Sequence, residues 1–99
     1  QEEAVKIYDE LVREFPHSRY VPEALMRMAE FYFNPPINDI EKAITLFKQI
    51  LEYKDSPKYD EALYRLGWCY YRLNKYPEAV AYFTLLADDV EKSEKKSSE

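Results

Sequence analysis

Glycine is almost missing from this chain: Gly67 is the only one in 99 residues. A phosphate-cradling loop needs several glycines whose backbone N–H groups can close on an anion, so nucleotide binding of the P-loop kind is excluded. Histidine and cysteine are equally scarce, with His17 and Cys69 as sole representatives. A lone cysteine rules out an internal disulfide and leaves the redox compartment open. With a single histidine it provides no recognisable zinc ligand set, and no metal or other cofactor is expected. No apolar run approaches the ~18 residues that a membrane-spanning helix needs, so direct membrane insertion is not expected. No signal peptide is visible either, and a chain that opens in mid-helix is expected to have lost its true N-terminus. Bases are outnumbered by acids, fourteen to nineteen, for a net charge of -5. The tail from Glu91 to Glu99 holds three charges of each sign, so the acidity belongs to the body and nucleic-acid binding is disfavoured.

What is present is apolar, charged and helix-favouring, with 46% hydrophobic and 33% charged residues. A chain of this length forms one domain. Three segments superimpose: Ala4 to Leu11 (AVKIYDEL), Ala43 to Ile50 (AITLFKQI) and Ala79 to Leu86 (AVAYFTLL). Each reads small, aromatic, aliphatic at intervals of four and three, which places the three positions on one helix stripe. The small residue admits a neighbouring helix and the ring fills the gap beside it. A second pattern alternates with the first, Ala24-Leu25-x-x-Met28-Ala29-x-x-Tyr32 matching Ala62-Leu63-x-x-Leu66-Gly67-x-x-Tyr70. Calling the second type A and the first type B, the chain order is B, A, B, A, B. The repeat steps are 39 (Ala4 to Ala43), 38 (Ala29 to Gly67) and 36 (Ala43 to Ala79), somewhat longer than the ~34 of a helix-turn-helix repeat.

Turn chemistry sets the expected boundaries. Phe15-Pro16-His17-Ser18 and Lys54-Asp55-Ser56-Pro57 separate units, Pro22 and Pro77 suit a first helical turn, and Asn74 suits a helix C-terminus. Asn34 to Asp39 is a longer turn within a unit, and Asn38 followed by Glu41 has the form of a capping box. Helices are expected near 2–14, 21–33, 39–53, 58–73 and 77–92. The array spans 1–92, with a partial unit at 1–19 and full units at 20–56 and 57–92, followed by a charged tail or linker at 93–99 that is expected to fray, with a soluble cap as the alternative.

These residues resemble the tetratricopeptide repeat (TPR) family. Leu63, Leu66, Gly67 and Tyr70, then Ala79, Phe83 and Leu86, reproduce most of its signature, and Ala4, Tyr8, Leu11 and Pro16 fit the closing half of a preceding unit. The resemblance covers roughly residues 2–90 and implies an all-α fold, a right-handed α-solenoid of antiparallel helix pairs with five helices in about two and a half units. It also implies a scaffold that takes a partner peptide or helix in a concave groove lined by the A helices. The inter-unit phrases around Asp55-Ser56-Pro57 and Tyr76-Pro77 are similar to longer-period TPRs of bacterial envelope proteins, which points to the bacterial periplasm or cell envelope, with the cytoplasm as alternative. Where the family's carboxylate clamp has lysine and asparagine, this chain has Met26, Glu30, Tyr64 and Trp68, so capture of a chaperone tail is not expected.

On the last A helix, Tyr64, Trp68 and Tyr71 form a second apolar line beside the packing stripe. The matching positions on the first A helix are Met26, Glu30 and Phe33, with Arg27, Arg65 and Arg72 at or near the edges. By the family's geometry these nine residues face the groove, and rings with arginine are the composition of binding hot spots. The alternative is that the line packs one A helix on the next. The chain begins and stops with a B helix, and repeat arrays need polar caps, so further repeats or a second copy are expected to cover the terminal helices. An enzyme is not expected. His17 lies in a turn, Cys69 reads as a buried inert thiol, and the carboxylates Asp88, Asp89, Glu91, Glu2 and Glu3 read as solvated helix ends.

Overall fold

The computed structural model describes residues 2–98 and contains no strand among them. Five helices follow in chain order: α1 (Glu2–Glu14), α2 (Val21–Phe33), α3 (Ile40–Ile50), α4 (Lys58–Arg72) and α5 (Tyr76–Ser98). Each helix packs on the next, and α2 also packs on α4. Pairs that meet across α4 and α5, such as Tyr70 with Tyr82 and Trp68 with Phe83, run in opposite chain directions, so the two helices are antiparallel. Ion pairs between α2 and α4 run in the same direction, Lys58 to Glu23 and Arg65 to Glu30, so these A helices are parallel. The thinnest dimension of the molecule is 16 Å. Two helix layers at the usual separation of ~8–10 Å fill it.

Local chemistry explains the boundaries. Pro22 sits in the first turn of α2, where its missing N–H has no helical partner to lose. At the start of α3 it is Asp39 that caps, its Oδ1 accepting from the Lys42 N–H at 3.1 Å. Asn38, the expected cap, instead takes the left-handed conformation at φ 51°, which its short polar side chain tolerates. α3 ends at Ile50 rather than 53 because Leu51, Glu52 and Tyr53 bond three residues back, to Lys48, Gln49 and Ile50. That is a tightening common at helix ends. α4 ends as expected on Asn74, at φ 61°. The Asn74 N–H bonds to Tyr71 O and the Lys75 N–H to Tyr70 O, both at 2.9 Å, which is the paired closure of a Schellman motif.

α5 departs most from expectation. It is a helix to Ser98 instead of stopping at 92 and giving way to a frayed linker. The glutamates and lysines there are good helix formers, and Lys95 meets Glu91 one turn back at 3.7 Å. Glu99 lies outside the described residues.

The core lies where α2, α3 and α4 meet, around the fully buried Phe47 and Ile50 with Leu25, Met26, Leu66 and Cys69. Alanines 24, 29, 43 and 62 are buried with them, and their small side chains let the helices approach. Gly67 takes this furthest: a side-chain carbon there would lie 2.6 Å from Cζ and 2.7 Å from Cδ1 of Phe83. The α5 ring rests on the bare backbone of α4.

Candidate functional site

The side of the stack built by α2 and α4 has two parts, and the first is a polar seam. α4 presents Lys58, Arg65 and Arg72 at intervals of seven residues, close to two full turns, so they share a stripe. Lys58 Nζ lies 3.1 Å from Glu23, Arg65 lies 2.9 Å from Glu30, and the Arg72 guanidinium stands 5.1 Å from the centre of the Phe33 ring. Arg27 bonds back to Glu23 at 2.7 Å and to Glu30 at 3.1 Å. The hydrogen bond from Lys58 draws the Glu23 carboxyl below its ordinary range, and Glu23 in turn raises the Lys58 amine. Half-exposed pairs of this kind hold little energy. Their contribution is register, since each cation of α4 has one receptor on α2.

The second part is aromatic. Tyr64, Trp68 and Tyr71 follow one another along α4, with ring centres 6.2 Å and 5.3 Å apart and planes at 80° in both contacts. Tyr76, at the start of α5, continues the line 5.3 Å from Tyr71. Phe83 lies beneath it, 5.4 Å from Trp68 and 6.2 Å from Tyr64, a depth that Gly67 permits. Edge-to-face contacts of this sort add about 0.5–1.5 kcal/mol each beyond burial. The four outer rings nevertheless stay open: Tyr64 is 47% exposed, Trp68 40%, Tyr71 50% and Tyr76 50%. Sequence spacing missed Tyr76 because it belongs to the next helix. The left-handed turn at Asn74 brings it back, and the Tyr76 hydroxyl donates to Asn74 Oδ1 at 2.9 Å.

The nine residues expected at the groove therefore divide. Arg27, Glu30, Phe33, Arg65 and Arg72 belong to the α2–α4 seam, and Tyr64, Trp68 and Tyr71 form the open line. Met26 belongs to neither. It is 1% exposed and part of the core, which corrects its expected place in the groove. Its position on α2 corresponds to Tyr64 on α4, and the reason for the difference is the neighbour. Glu30 and Phe33 of the α2 stripe meet Arg65 and Arg72 of α4, whereas the stripe Tyr64, Trp68, Tyr71, 38 residues later, has no helix over it among the described residues. At the opposite end of the stack, an open depression of about 550 Å³ is lined by Val5, Tyr8, Phe31 and Ile37 among others.

Reactive groups lie elsewhere. Burial pushes the Cys69 thiol up to about 12, so it stays protonated in the core. His17 is exposed in the turn between α1 and α2. Asp60, in the first turn of α4, is pushed up to about 6 by the neighbouring Asp89 carboxyl of α5 and by burial, and its Oδ1 is buried without a hydrogen-bond partner. No three acid, histidine or cysteine side chains among the described residues are placed to hold a metal ion. No helix among them is long and apolar enough to cross a membrane.

Consecutive antiparallel helices with small residues at the crossings, A helix packed on A helix, define a helical-hairpin repeat protein. The chain belongs to the tetratricopeptide repeat family, whose sequence profile matches residues 37–94, more than half its length and all of α3 and α4. Neither a curated protein nor a solved structure is significantly similar to it. Tetratricopeptide repeats generally mediate protein–protein interaction and are typically non-catalytic.

Proposed function

We propose that this chain is a non-catalytic interaction module that takes a partner's helix or peptide on its A-helix side, with Tyr64, Trp68, Tyr71 and Tyr76 as anchors. The observation that carries the reading is the unbroken edge-to-face line of half-exposed rings on α4 and the start of α5. Rings held by one another lose little freedom on binding, and each desolvated anchor of this type contributes ~2 kcal/mol or more. The equivalent stripe on α2 meeting a helix at Glu30 and Phe33 supports an occupant that is itself helical. The same observation favours a second reading, in which the face meets only a further repeat and the chain is a spacer.

Trp68 is the only tryptophan, so its fluorescence reports on this face alone. Helical peptides selected by display against the chain are expected to shield Trp68 from acrylamide. They are expected to lose at least about tenfold in affinity when Trp68→Ala and Tyr71→Ala are combined, with helical circular dichroism unchanged. Selected peptides that bind the double variant as well as the parent would place the site elsewhere. Unfolding of that variant would assign the rings to packing.

A further inference from the structure

The α2–α4 seam is a worked example of how a helix sits on an A helix in this molecule, and the sequence repeats the receiving half of it. Glu23, Glu30 and Phe33 of α2 receive Lys58, Arg65 and Arg72. Adding the repeat step of 38 turns the receptors into Glu61, Trp68 and Tyr71 of α4. Glu61 keeps the carboxylate, held only at 3.5 Å from Lys58 and 3.7 Å from Arg65 within its own helix. Tyr71 keeps the aromatic face that Phe33 offers to Arg72. Trp68 replaces a carboxylate with the ring that attracts cations most strongly. All three receptors accept positive charge, and Trp68 and Tyr71 are open.

On this basis, and resting on the proposal that the face takes a helix, we infer that the occupant is an amphipathic cationic helix of another polypeptide, parallel to α4, with arginine or lysine at every seventh position over Glu61, Trp68 and Tyr71. The net charge of -5 favours such a partner at long range. The described residues do not themselves supply this helix. α3 ends at Ile50 and the chain turns back at once to lay α4 on α2, but α5 continues past the equivalent Leu86 to Ser98. Those further residues carry the chain ~18 Å onward along the helix axis, so within the described residues it does not return over α4. A second copy does not supply the pattern either. Its Lys58, Arg65 and Arg72 are engaged, and α1, the other helix with cations seven apart (Lys6 and Arg13), also carries Glu2, Glu3, Asp9, Glu10 and Glu14.

The test uses two helix-stabilised alanine–leucine peptides, one with arginines spaced as Lys58, Arg65 and Arg72 are, the other with glutamates in their place. Each is titrated into the full chain while Trp68 emission is followed. The arginine peptide is expected to bind about tenfold more tightly than the glutamate peptide. The gap should narrow with added salt and with Glu61→Gln. Equal binding of the two peptides, or binding of display-selected peptides alone, would overturn the cationic pattern while leaving helix docking intact. Failure of every peptide would overturn both. Sedimentation showing a dimer with Trp68 shielded before any peptide is added would make the occupant a second copy and end the inference.

Discussion

α3 and α5 are written alike and buried unlike. Both carry the stripe of small residue, ring and aliphatic, as Ala43, Phe47, Ile50 and as Ala79, Phe83, Leu86. All three are fully buried on α3, but on α5 only Ala79 is, and Phe83 and Leu86 remain part-exposed. α3 is held between α2 and α4, while among the described residues α5 packs on α4 alone. In a stack of hairpins, then, the same motif has different energetic weight according to what lies on its far side. The side of α5 and α4 left open is also where exposed rings are densest. A surface used for packing inside the array becomes, at its edge, a surface able to take something else.

The comparison predicts unequal losses for equal changes. Phe47→Ala should cost about 3–5 kcal/mol, a large part of the ~5–15 kcal/mol that holds a domain together. Phe83→Ala should cost roughly 1–2 kcal/mol, because water already reaches one side of that ring. Urea denaturation of both variants would measure the gap, and equal losses would break the comparison. Gly67→Ala comes next. Its methyl enters the Phe83 ring, and overpacking of this kind costs about 1–3 kcal/mol, less here if the ring yields towards solvent. Adding Phe83→Leu should recover part of that loss, and additive losses in the two-variant cycle would contradict direct contact.

The smallest effect is one of pH, and it separates the two hairpins. Asp60 is pushed up to about 6, so the folded chain binds its proton more tightly than the unfolded chain, whose carboxyl titrates near the ordinary 3.8. The stabilisation is complete below the ordinary value and is lost as pH rises through about 6. At the corresponding places in the first hairpin stand Pro22 and Tyr53, neither of them a carboxyl. Asp60→Asn should therefore remove the decline between about pH 4 and 6 and raise the melting temperature near pH 8 relative to the parent. Thermal melts at both ends of that range, on parent and variant, would decide it. A parent whose stability is flat across the range would contradict the raised Asp60 carboxyl.

Much of this architecture was legible because repetition converts spacing into geometry. Ala4, Ala43 and Ala79 gave the B helices and Ala29 with Gly67 the A helices, and Asn74 marked the turn it does close. The misses have local causes. Asn38 and Asp39 are both competent caps, and only the path of the chain assigns one to the left-handed position and the other to the bond with Lys42. The lysines and glutamates at 91–96 read as a solvated linker by composition, yet they are also good helix formers one turn apart. Of the candidate site, Tyr64, Trp68 and Tyr71 were visible as a line. Tyr76 was hidden, because it joins across a turn. Met26 occupies the same register as Tyr64 and could not be separated from it without knowing which A helix has a neighbour.

Composition and periodicity by themselves determined that the chain forms helices, how those helices alternate, and that small residues stand at their crossings, since each of these depends on contacts within one helix or between adjacent ones. Tertiary structure alone decided which copy of each stripe is buried, which cation meets which carboxylate or ring, and where the rings remain open. Those outcomes depend on how many neighbours a helix has, and a repeated motif carries no record of its place in the stack.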